Sequence, residues 1–595
     1  MNRFITILLC LLVTVAKASI NVTNYGAVGD LATITNINTI SNSASLVCPG
    51  ANFVGTDAGK LIEVTGGGNW QGASNDCLYA YISTVSSPSN IVVSVASGAN
   101  GTNLTGMYGT DCQPCFSNAI AACASPTDTL IIPAGNYFCV PPDFKQGVYS
   151  GNWPVSFAMN RGGITFMGQG TATLTSASGW KRFGSSGYRG TLFTVLQTLT
   201  NNYPLIFTNL TLDGGITNGN IHNEGAPIDP TTGIGWDSSH HWLLTEGVAT
   251  SGGYLNRIVM LNCTVQHWRG ESMESTESSP NLYLCATNCF FWDINGSCIN
   301  NFAHACESCT FSNANQAEEF YRAWATNISY MADSVIEDMN GAGMAPNGAT
   351  PNCPEYIITN TYFALGASVN GVLLCPACNM QFWNCPFSGV GSSIGFFFGS
   401  SGGQGAWWCS NIWVIGCTFT NVGIPTFYAG LASQTNSAIN VGYTNCHAAG
   451  DSEFGWGYSF AQCTNVSYAN CSGSYLRSPF TSGQLLIDAG GNTWAGIPVY
   501  SGGTISDSQS TYFKLYTGGG SVYVDDTNSS QTVTGSHLGV YAGSGAVTVY
   551  PSDSGQGTPV ALTTGNSATW QWNGSAWVTN YGAAAPPPQY LWITR

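Results

Sequence analysis

The chain has 595 residues and 73 glycines, and only 7% of its residues are charged, against roughly 25% in an average soluble domain. Coiled coils, helical bundles and charged disordered tails need more Lys, Glu and Arg, so the composition favours short strands and many turns. The formal net charge of −16 leaves no basic patch for phosphates, which argues against nucleic acid as a partner.

Residues 1–18 have the pattern of a secretory signal peptide. Arg3 supplies the positive charge, Ile5–Val15 is a short apolar run, and Ala16-Lys17-Ala18 fits a cleavage site. The apolar run is too short to span a membrane, and no later stretch reaches about 18 apolar residues. We therefore expect a secreted, extracellular protein without a membrane span.

A short pattern recurs every 20–32 residues through the middle of the chain. Its first position is usually Asn or another small polar residue, and its second is usually Cys, Ser or Thr. The second positions are Cys263, Cys289, Cys309, Ser334, Thr361, Cys385, Cys417, Cys446 and Cys471. A strand-rich repeat of this length with variable insertions is typical of a solenoid.

Three short strands in each repeat predict the coils of a parallel β-helix. The first position would form a ladder whose side-chain amides bond between coils at a turn. The second position would point inward as a small buried side chain. We expect these cysteines to be mostly free thiols in a structural ladder rather than disulfides.

The N-terminal region supplies more specific motifs. Asn24-Tyr-Gly-Ala-Val-Gly-Asp30 is followed by a predicted short helix at Phe116–Cys123 and by Asp128-Thr-Leu-Ile-Ile-Pro-Ala-Gly-Asn-Tyr-Phe138. This order resembles the pectin-lyase-like superfamily, and within it the pectate-lyase-superfamily domain of bacterial enzymes and phage tailspikes. The resemblance departs at Cys112, where the family has a second Asp. The four motifs of the polygalacturonase branch are also missing, which puts that chemistry in doubt.

The resemblance implies an all-β fold, namely a right-handed parallel β-helix (solenoid) with an N-terminal cap and a small C-terminal β region. An N-terminal strand, an inserted β subdomain and the capping helix occupy 19–125, and the β-helix occupies 126–485. A C-terminal β-rich cap or accessory module occupies 486–595. We predict strands of the insertion near Leu61–Thr65 and Ile91–Val95, and a terminal hairpin at Thr569–Trp577.

Charged residues are rare, so their clusters are informative. The densest group lies at 267–274, and a second group follows about two coils later. Coils stack about 4.8 Å apart, so side chains from the two groups could approach the ~5–9.5 Å separation of paired glycosidase carboxylates. We favour Glu271 and Glu319 as the pair, because strand alternation turns only one of Glu318 and Glu319 outward. The candidate catalytic residues are Glu271, Glu319, Glu318, Glu274, Arg269, Arg322 and His267.

Two reactions fit these residues. In a glycosidase, one Glu is the general acid and another is the base or nucleophile. In a lyase, Arg269, Arg322, Tyr321 or His267 removes a proton next to a uronate carboxylate, which Ca²⁺ or Arg neutralises. No cofactor is firmly indicated, and Ca²⁺ is the one that the lyase alternative would use.

A long excursion between two coils, near residues 222–246, has the position of a binding loop. Aromatic and polar side chains in it and in the charged clusters are candidates for binding a sugar: Trp236, Asp237, His241, Trp242, Trp268 and Tyr321. Asp213, in Thr-Leu-Asp-Gly-Gly, is interpreted first as a turn residue, with a catalytic role as the alternative.

These patterns and the resemblance predict a secreted β-helix protein that cleaves an extracellular polysaccharide, by hydrolysis or by β-elimination. The alternatives are a non-catalytic glycan-binding or adhesin-like protein and a structural surface protein. The expected partner is a polysaccharide, and assembly into a homo-oligomer is left open.

Overall fold

The structure is a computed structural model. It describes residues 18–68, 77–142, 145, 155–176, 190–195, 203–215, 240–245, 257–268, 270–275, 283–300, 302–321, 328–347, 354–367, 369–374, 377–398, 409–428, 438–449, 463–473 and, beyond these, the backbone of short strands up to residue 580. The chain divides into two compact units, 1–302 and 303–595. Within the described residues, none of the helices has the length and apolar character needed to cross a membrane.

The first unit begins with strand β1, Ser19–Asn21, and then forms a small closed barrel. The barrel order is β2-β3-β6-β5-β4-β7, with all pairings antiparallel. Its strands are β2 Ala32–Thr39, β3 Ser45–Val47, β4 Leu61–Val64, β5 Leu78–Ser87, β6 Asn90–Val93 and β7 Gly101–Gly109. A buried apolar cluster that includes Ile37, Leu46 and Phe53 fills the barrel. Both strands predicted in the insertion are therefore confirmed, as β4 and β6.

Helix α1, Gln113–Ala122, closes one end of the coils. Its Phe116 is fully buried, and the Phe116 ring lies 5.4 Å from the ring of Tyr137 and 5.8 Å from that of Phe157. A solenoid end exposes apolar side chains and unpaired backbone, so a helix that packs its apolar face there removes both from water. The predicted capping helix is confirmed.

The coils of the first unit follow α1, and each adds strands that pair in parallel with those one coil earlier. One row runs β8-β11-β13-β15-β18, and a second runs β9-β11-β13-β16-β19. The strands are β8 Thr129–Ile132, β9 Gly135–Phe138, β10 Val155–Met159, β11 Thr165–Thr175, β12 Gly190–Val195, β13 Leu205–Asp213, β14 His240–Thr245, β15 Arg257–Leu261, β16 Thr264–Trp268, β17 Met273–Ser275, β18 Tyr283–Thr287 and β19 Phe290–Asn300.

The second unit repeats the same three-strand coil. Its strands are β20 Ala303–Glu307, β21 Thr310–Tyr321, β22 Ser329–Ala332, β23 Val335–Glu337, β24 Ala342–Asn347, β25 Tyr356–Thr359, β26 Tyr362–Ala364, β27 Asn370–Leu374, β28 Cys378–Trp383, β29 Pro386–Ser388, β30 Ile394–Phe398, β31 Cys409–Ile415, β32 Thr418–Thr420, β33 Ile424–Tyr428, β34 Ala438–Thr444, β35 His447–Ala449, β36 Glu453–Phe454, β37 Trp456–Gly457, β38 Cys463–Ala469, β39 Ser472–Gly473, β40 Tyr475–Leu476, β41 Leu486–Asp488 and β42 Thr493–Trp494. Parallel pairing therefore continues to Trp494, beyond residue 485.

The predicted asparagine ladder is present at the corner between the first and second strands of a coil. Asn262 Nδ2 donates to Asn209 Oδ1 at 3.1 Å, and Asn288 Nδ2 donates to Asn262 Oδ1 at 2.8 Å. These residues have φ values of 52–55°, in the left-handed region that Asn tolerates better than most residues. The corner therefore selects Asn for its backbone conformation as well as for its amide.

The ladder cysteines point inward, as predicted. Cys263, Cys385, Cys417 and Cys446 are free thiols that are at most 1% exposed. In the barrel, burial raises the pKa of the Cys48 thiol to about 12, which keeps it protonated and unreactive at neutral pH. Cys378 differs, because it is disulfide-bonded. The ladder thus serves packing.

The C-terminal region adds two small sheets. The first has the order β43-β45-β48-β49 and the second β44-β46-β47. The strands are β43 Thr511–Tyr516, β44 Gly520–Tyr523, β45 His537–Ala542, β46 Val547–Tyr550, β47 Val560–Leu562, β48 Ser567–Trp572 and β49 Trp577–Asn580. β48 and β49 pair antiparallel, with Trp572 opposite Trp577, so the strands of the predicted hairpin are confirmed.

Candidate functional site

Polar side chains stack on three successive coils of the first unit, at a corner formed by Asp213 on β13, His267 on β16 and Asp293 on β19. Asp213 lies beside Gln266 in the parallel register, and Gln266 lies beside Trp292. His267 and Asp293 follow at the next position of their coils. The register therefore brings together residues that are far apart in the chain.

The carboxylate of Asp213 accepts three hydrogen bonds. Its Oδ1 accepts from the backbone N–H of Gly215 at 2.7 Å and lies 3.0 Å from Nδ1 of His267. Its Oδ2 accepts from Nε2 of Gln266 at 2.7 Å. Because an ionised carboxylate only accepts, Nδ1 of His267 carries the proton of their shared hydrogen bond. Asp213 thus fixes both the tautomer and the orientation of the imidazole.

The other ring nitrogen of His267 faces a second carboxylate. Nε2 lies 4.0 Å from Oδ2 of Asp293, which is beyond hydrogen-bond distance. The indole of Trp292 meets the imidazole edge to face, with ring centroids 5.1 Å apart. The side chain of His267 is 22% exposed, whereas that of Asp293 is 2% exposed. A ligand could therefore reach the imidazole more readily than the carboxylate of Asp293.

The backbone at this corner is in an uncommon conformation. His267 has φ 61° and Asp293 has φ 54°, and both lie in the left-handed region. Asp and His are enriched there among non-glycine residues. The same conformation recurs at Asn313 and Asp338, so it is a repeated corner of the coils. The conformation turns both side chains out of the strand alternation and towards each other.

The carboxylates determine the protonation of His267. Burial alone lowers the pKa of the imidazole, but the hydrogen bond to Asp213 and the charges of Asp213 and Asp293 outweigh it and raise the pKa above its ordinary value. The imidazolium form is therefore stabilised at this corner. An oriented, partly exposed imidazolium can donate a proton from Nε2 to a bound substrate.

The two glutamates of the same coil have different environments. Glu271 is only 3% exposed, and its backbone N lies close to Gly296, where a Cβ would come within 2.7 Å of it. Glu274 is half-buried on β17, between Leu244 and Asn300 in the register. The expectation of an outward-facing Glu271 is corrected, because its side chain is buried. Glu274 is the more accessible carboxylate.

Trp268 was expected to bind substrate, but it is fully buried. Its Nε1 donates to the backbone O of Leu212 at 3.0 Å, inside the first unit. A ring that packs in the core offers no face to a sugar. The structure therefore corrects this prediction to a packing role.

Glu318 and Glu319 lie on β21 of the second unit. Glu319 is half-buried, whereas Glu318 is fully buried, as strand alternation predicts for one of the two. Glu318 Oε2 accepts a hydrogen bond of 2.5 Å from Tyr356 Oη, which lies 2.9 Å from Nε2 of His304. Glu318 is thus part of an internal polar network and does not line a groove. The predicted pairing of Glu271 with Glu319 stays a prediction.

The remaining predicted residues cannot be placed as side chains. Arg269, Arg322, Trp236 and Asp237 lie outside the described residues. The backbones of His241, Trp242 and Tyr321 lie in strands β14 and β21. In the described ranges, no group of three or more His, Cys, Asp or Glu side chains could hold a metal ion. The Ca²⁺ expectation stays a prediction.

Sequence reasoning selected His267. It preferred a turn role for Asp213, with catalysis as the alternative, and assigned no specific role to Asp293. Their signal was the offset from the ladder, because Asp213 lies four positions after Asn209 and Asp293 lies five after Asn288. His267 likewise lies five positions after Asn262. Counting from the ladder on every coil would have aligned His267 with Asp293 and placed Asp213 beside Gln266, one position earlier.

No protein-family model and no curated protein matches the sequence. Solved structures with a similar course of the chain include the family 28 exopolygalacturonase of Yersinia enterocolitica, at 11% identity over 78% of this chain and 96% of that chain, with a TM-score of 0.34. A second is the A-module of the mannuronan C-5 epimerase AlgE4 of Azotobacter vinelandii, at 11% identity over 64% of this chain and 95% of that chain, with a TM-score of 0.33. A third is the surface adhesin PfbA of Streptococcus pneumoniae, at 11% identity over 79% of this chain and 96% of that chain, with a TM-score of 0.29.

These neighbours differ in what they do, and their similarity to this chain is one of fold. The fold itself follows from the observed features, namely three-strand parallel coils, a left-handed asparagine corner and a helix over the first coil. The chain therefore folds as a right-handed parallel β-helix.

Proposed function

We propose that this protein is an extracellular enzyme that hydrolyses an uncharged polysaccharide, with His267 as the proton donor. The observation that carries the proposal is the 3.0 Å hydrogen bond between Nδ1 of His267 and Asp213. It leaves Nε2 as the nitrogen available for proton transfer. In this role Nε2 gives its proton to the glycosidic oxygen as the bond from that oxygen to the anomeric carbon breaks.

The charges at the site favour hydrolysis over β-elimination. The raised pKa favours the protonated form of His267, which suits an acid, whereas a lyase needs an unprotonated base at the same place. Among the residues that the structure describes, the charged side chains that interact with His267 are the carboxylates of Asp213 and Asp293. Their negative charge opposes the binding of a uronate and favours a neutral sugar.

We assign the activation of water to Glu274. Besides the acid that protonates the leaving oxygen, hydrolysis needs a base that removes a proton from the attacking water, and glycosidases use a carboxylate for this. Glu274 follows His267 on the same coil and is more accessible than Glu271. Asp213 then acts as a positioning residue, and Asp293 stabilises the imidazolium.

An activity screen of the full chain tests this function. Neutral and uronate polysaccharides are incubated with the protein, and reducing ends are followed together with the ultraviolet absorbance of the unsaturated product of β-elimination. We expect reducing ends from a neutral polysaccharide without that absorbance, and loss of activity in His267→Asn. His447→Asn is the matched control, since His447 is an exposed histidine at a coil corner of the second unit. Full activity in His267→Asn, or an unsaturated product, would contradict the proposal.

A further inference from the structure

Two tryptophans are exposed on the outer face of neighbouring strands in the second unit. Trp383 on β28 is 39% exposed, and Trp413 on β31 is 43% exposed. In the parallel register, Trp413 lies beside Gln381, and Trp383 lies beside Ile415. The two tryptophans are therefore one coil apart and two residues apart along the strand, which places their Cα atoms about 8 Å from each other.

The indole of Trp413 lies against the next coil at Gly442, which is its register partner. A Cβ on Gly442 would come within 2.3 Å of Cζ3 and 2.4 Å of Cε3 of this indole. The ring therefore occupies the space that any side chain at Gly442 would need. It rests on the sheet and remains 43% exposed on its solvent side.

The indole of Trp383 is the first member of a short chain of hydrogen bonds. Its Nε1 donates to Oε1 of Gln381 at 2.9 Å, and Nε2 of Gln381 donates to Oε1 of Glu355. A carboxylate and an amide thus lie next to the aromatic surface. An apolar ring face bordered by hydrogen-bonding groups matches a pyranose, which has an apolar C–H face and hydroxyls at its edge.

The surroundings favour an uncharged glycan over other occupants. Residues 303–494 include two arginines, Arg322 and Arg477, and no lysine, so the second unit has little positive charge for an acidic ligand. The outward neighbours Thr359, Thr444 and Ser467 are small, polar and half-buried. Two rings on such a face are far less than the roughly 800 Å² per partner of a standard protein interface.

We infer that Trp383 and Trp413 form a binding surface for an uncharged glycan, on which sugar rings stack on the two indoles while Gln381 and Glu355 hydrogen-bond to hydroxyls. This surface is distinct from the His267 corner, and the inference does not rest on the proposed hydrolysis.

Binding of defined oligosaccharides to the full chain tests the inference. The probes are cello-, xylo-, laminari- and malto-hexaose, with hexamers of galacturonate and mannuronate for comparison, followed by titration calorimetry. We expect at least one neutral hexaose to bind, and Trp413→Ala and Trp383→Ala each to weaken binding roughly tenfold. Gly442→Ala, which forces the Trp413 ring off the sheet, should weaken binding to a similar extent, whereas Phe290→Ala, at another exposed ring, should not.

Three results would overturn the inference. They are unchanged affinity in the Trp383→Ala/Trp413→Ala double variant, preference for the acidic hexamers, and a concentration-dependent dimer that the double variant abolishes. The last would show that a second copy of the chain covers the rings. Binding should persist in His267→Asn, so failure of the hydrolysis proposal and failure of this one give different results.

Discussion

Nδ1 of His267 lies 3.0 Å from Oδ1 of Asp213, although 54 residues separate them in the sequence. The contact exists because parallel pairing places β16 directly beside β13, with Thr211 next to Thr264 and Asp213 next to Gln266. Two coils of the solenoid thereby build one hydrogen-bonded pair of a carboxylate and an imidazole. The following predictions derive from this pair and from three other contacts.

Substituting Asp213 with Asn should change the pH dependence of activity. His267 must be protonated to donate, so activity should fall as the pH rises through its raised pKa. Asp213→Asn removes the charge that helps to raise this pKa, so the alkaline limb of the kcat profile should move to lower pH. An unmoved limb with a uniformly lower kcat would show that Asp213 has only a structural role.

Two substitutions of Asn262 should separate the contribution of its backbone conformation to stability from that of its hydrogen bonds. Asn262 has φ 52° and takes part in two amide hydrogen bonds. Asn262→Ala should lower the free energy of unfolding by about 2 kcal/mol, since it loses these bonds and places a β-carbon in the left-handed region. Asn262→Gly also loses the hydrogen bonds, but glycine adopts the left-handed conformation without strain. It should therefore lower the free energy of unfolding by about 1 kcal/mol less than Asn262→Ala does. Urea unfolding of both variants measures the difference, and equal costs would contradict the strain contribution.

The buried network of Tyr356, Glu318 and His304 should contribute to stability. Tyr356→Phe removes the hydroxyl that donates to Glu318 and leaves a fully buried carboxylate with one hydrogen bond fewer. We expect a loss of about 1–3 kcal/mol in the free energy of unfolding. Tyr362→Phe, at a half-buried position on the neighbouring strand β26, is the control and should change it by under about 0.5 kcal/mol.

Lys60 should stabilise the barrel in a pH-dependent way. Its Nζ lies 2.9 Å from Asp30 and 2.8 Å from Asp57. Burial opposes the ionised form of Asp30, but the hydrogen bonds from Lys60 and Thr110 and the charge of Lys60 lower its pKa overall. Because the pKa of Asp30 is lower in the folded state than in the unfolded state, ionisation of Asp30 stabilises the fold. This stability is present above the pKa of about 3.9 in the unfolded chain and is lost as the pH falls through the pKa in the folded protein.

Lys60→Met should therefore lower the free energy of unfolding by about 1–2 kcal/mol at neutral pH and by less at acidic pH. Chemical denaturation at neutral pH and at a pH below the pKa of Asp30 measures both values. A difference between variant and wild type that grows on acidification would contradict this linkage.

Local patterns were sufficient to predict several features of the fold. The spacing of Asn262, Asn288 and their equivalents predicted parallel coils, because a coil length and a corner conformation are repeated properties of short segments. The insertion strands, the helix at Gln113–Ala122 and the terminal hairpin were also predictable from composition and turn signals.

The site was less predictable, because parity along a strand does not determine burial at a corner. The alternation of side chains along a strand predicted that Glu271 and Glu319 both point outward, yet Glu271 is only 3% exposed. The left-handed residues His267 and Asp293 interrupt the alternation, so the positions after them no longer follow it. The same interruption concealed the association of Asp213 with His267.

The sequence by itself determined the architecture, because its repeat length, ladder residues and scarcity of charge all favour stacked parallel coils. Only the tertiary structure decided which polar residues meet. The register between coils placed Asp213 against His267 and moved Trp268 into the interior. Contacts between coils depend on how insertions of different length align successive turns, and that alignment is a property of the packed solenoid rather than of any one segment.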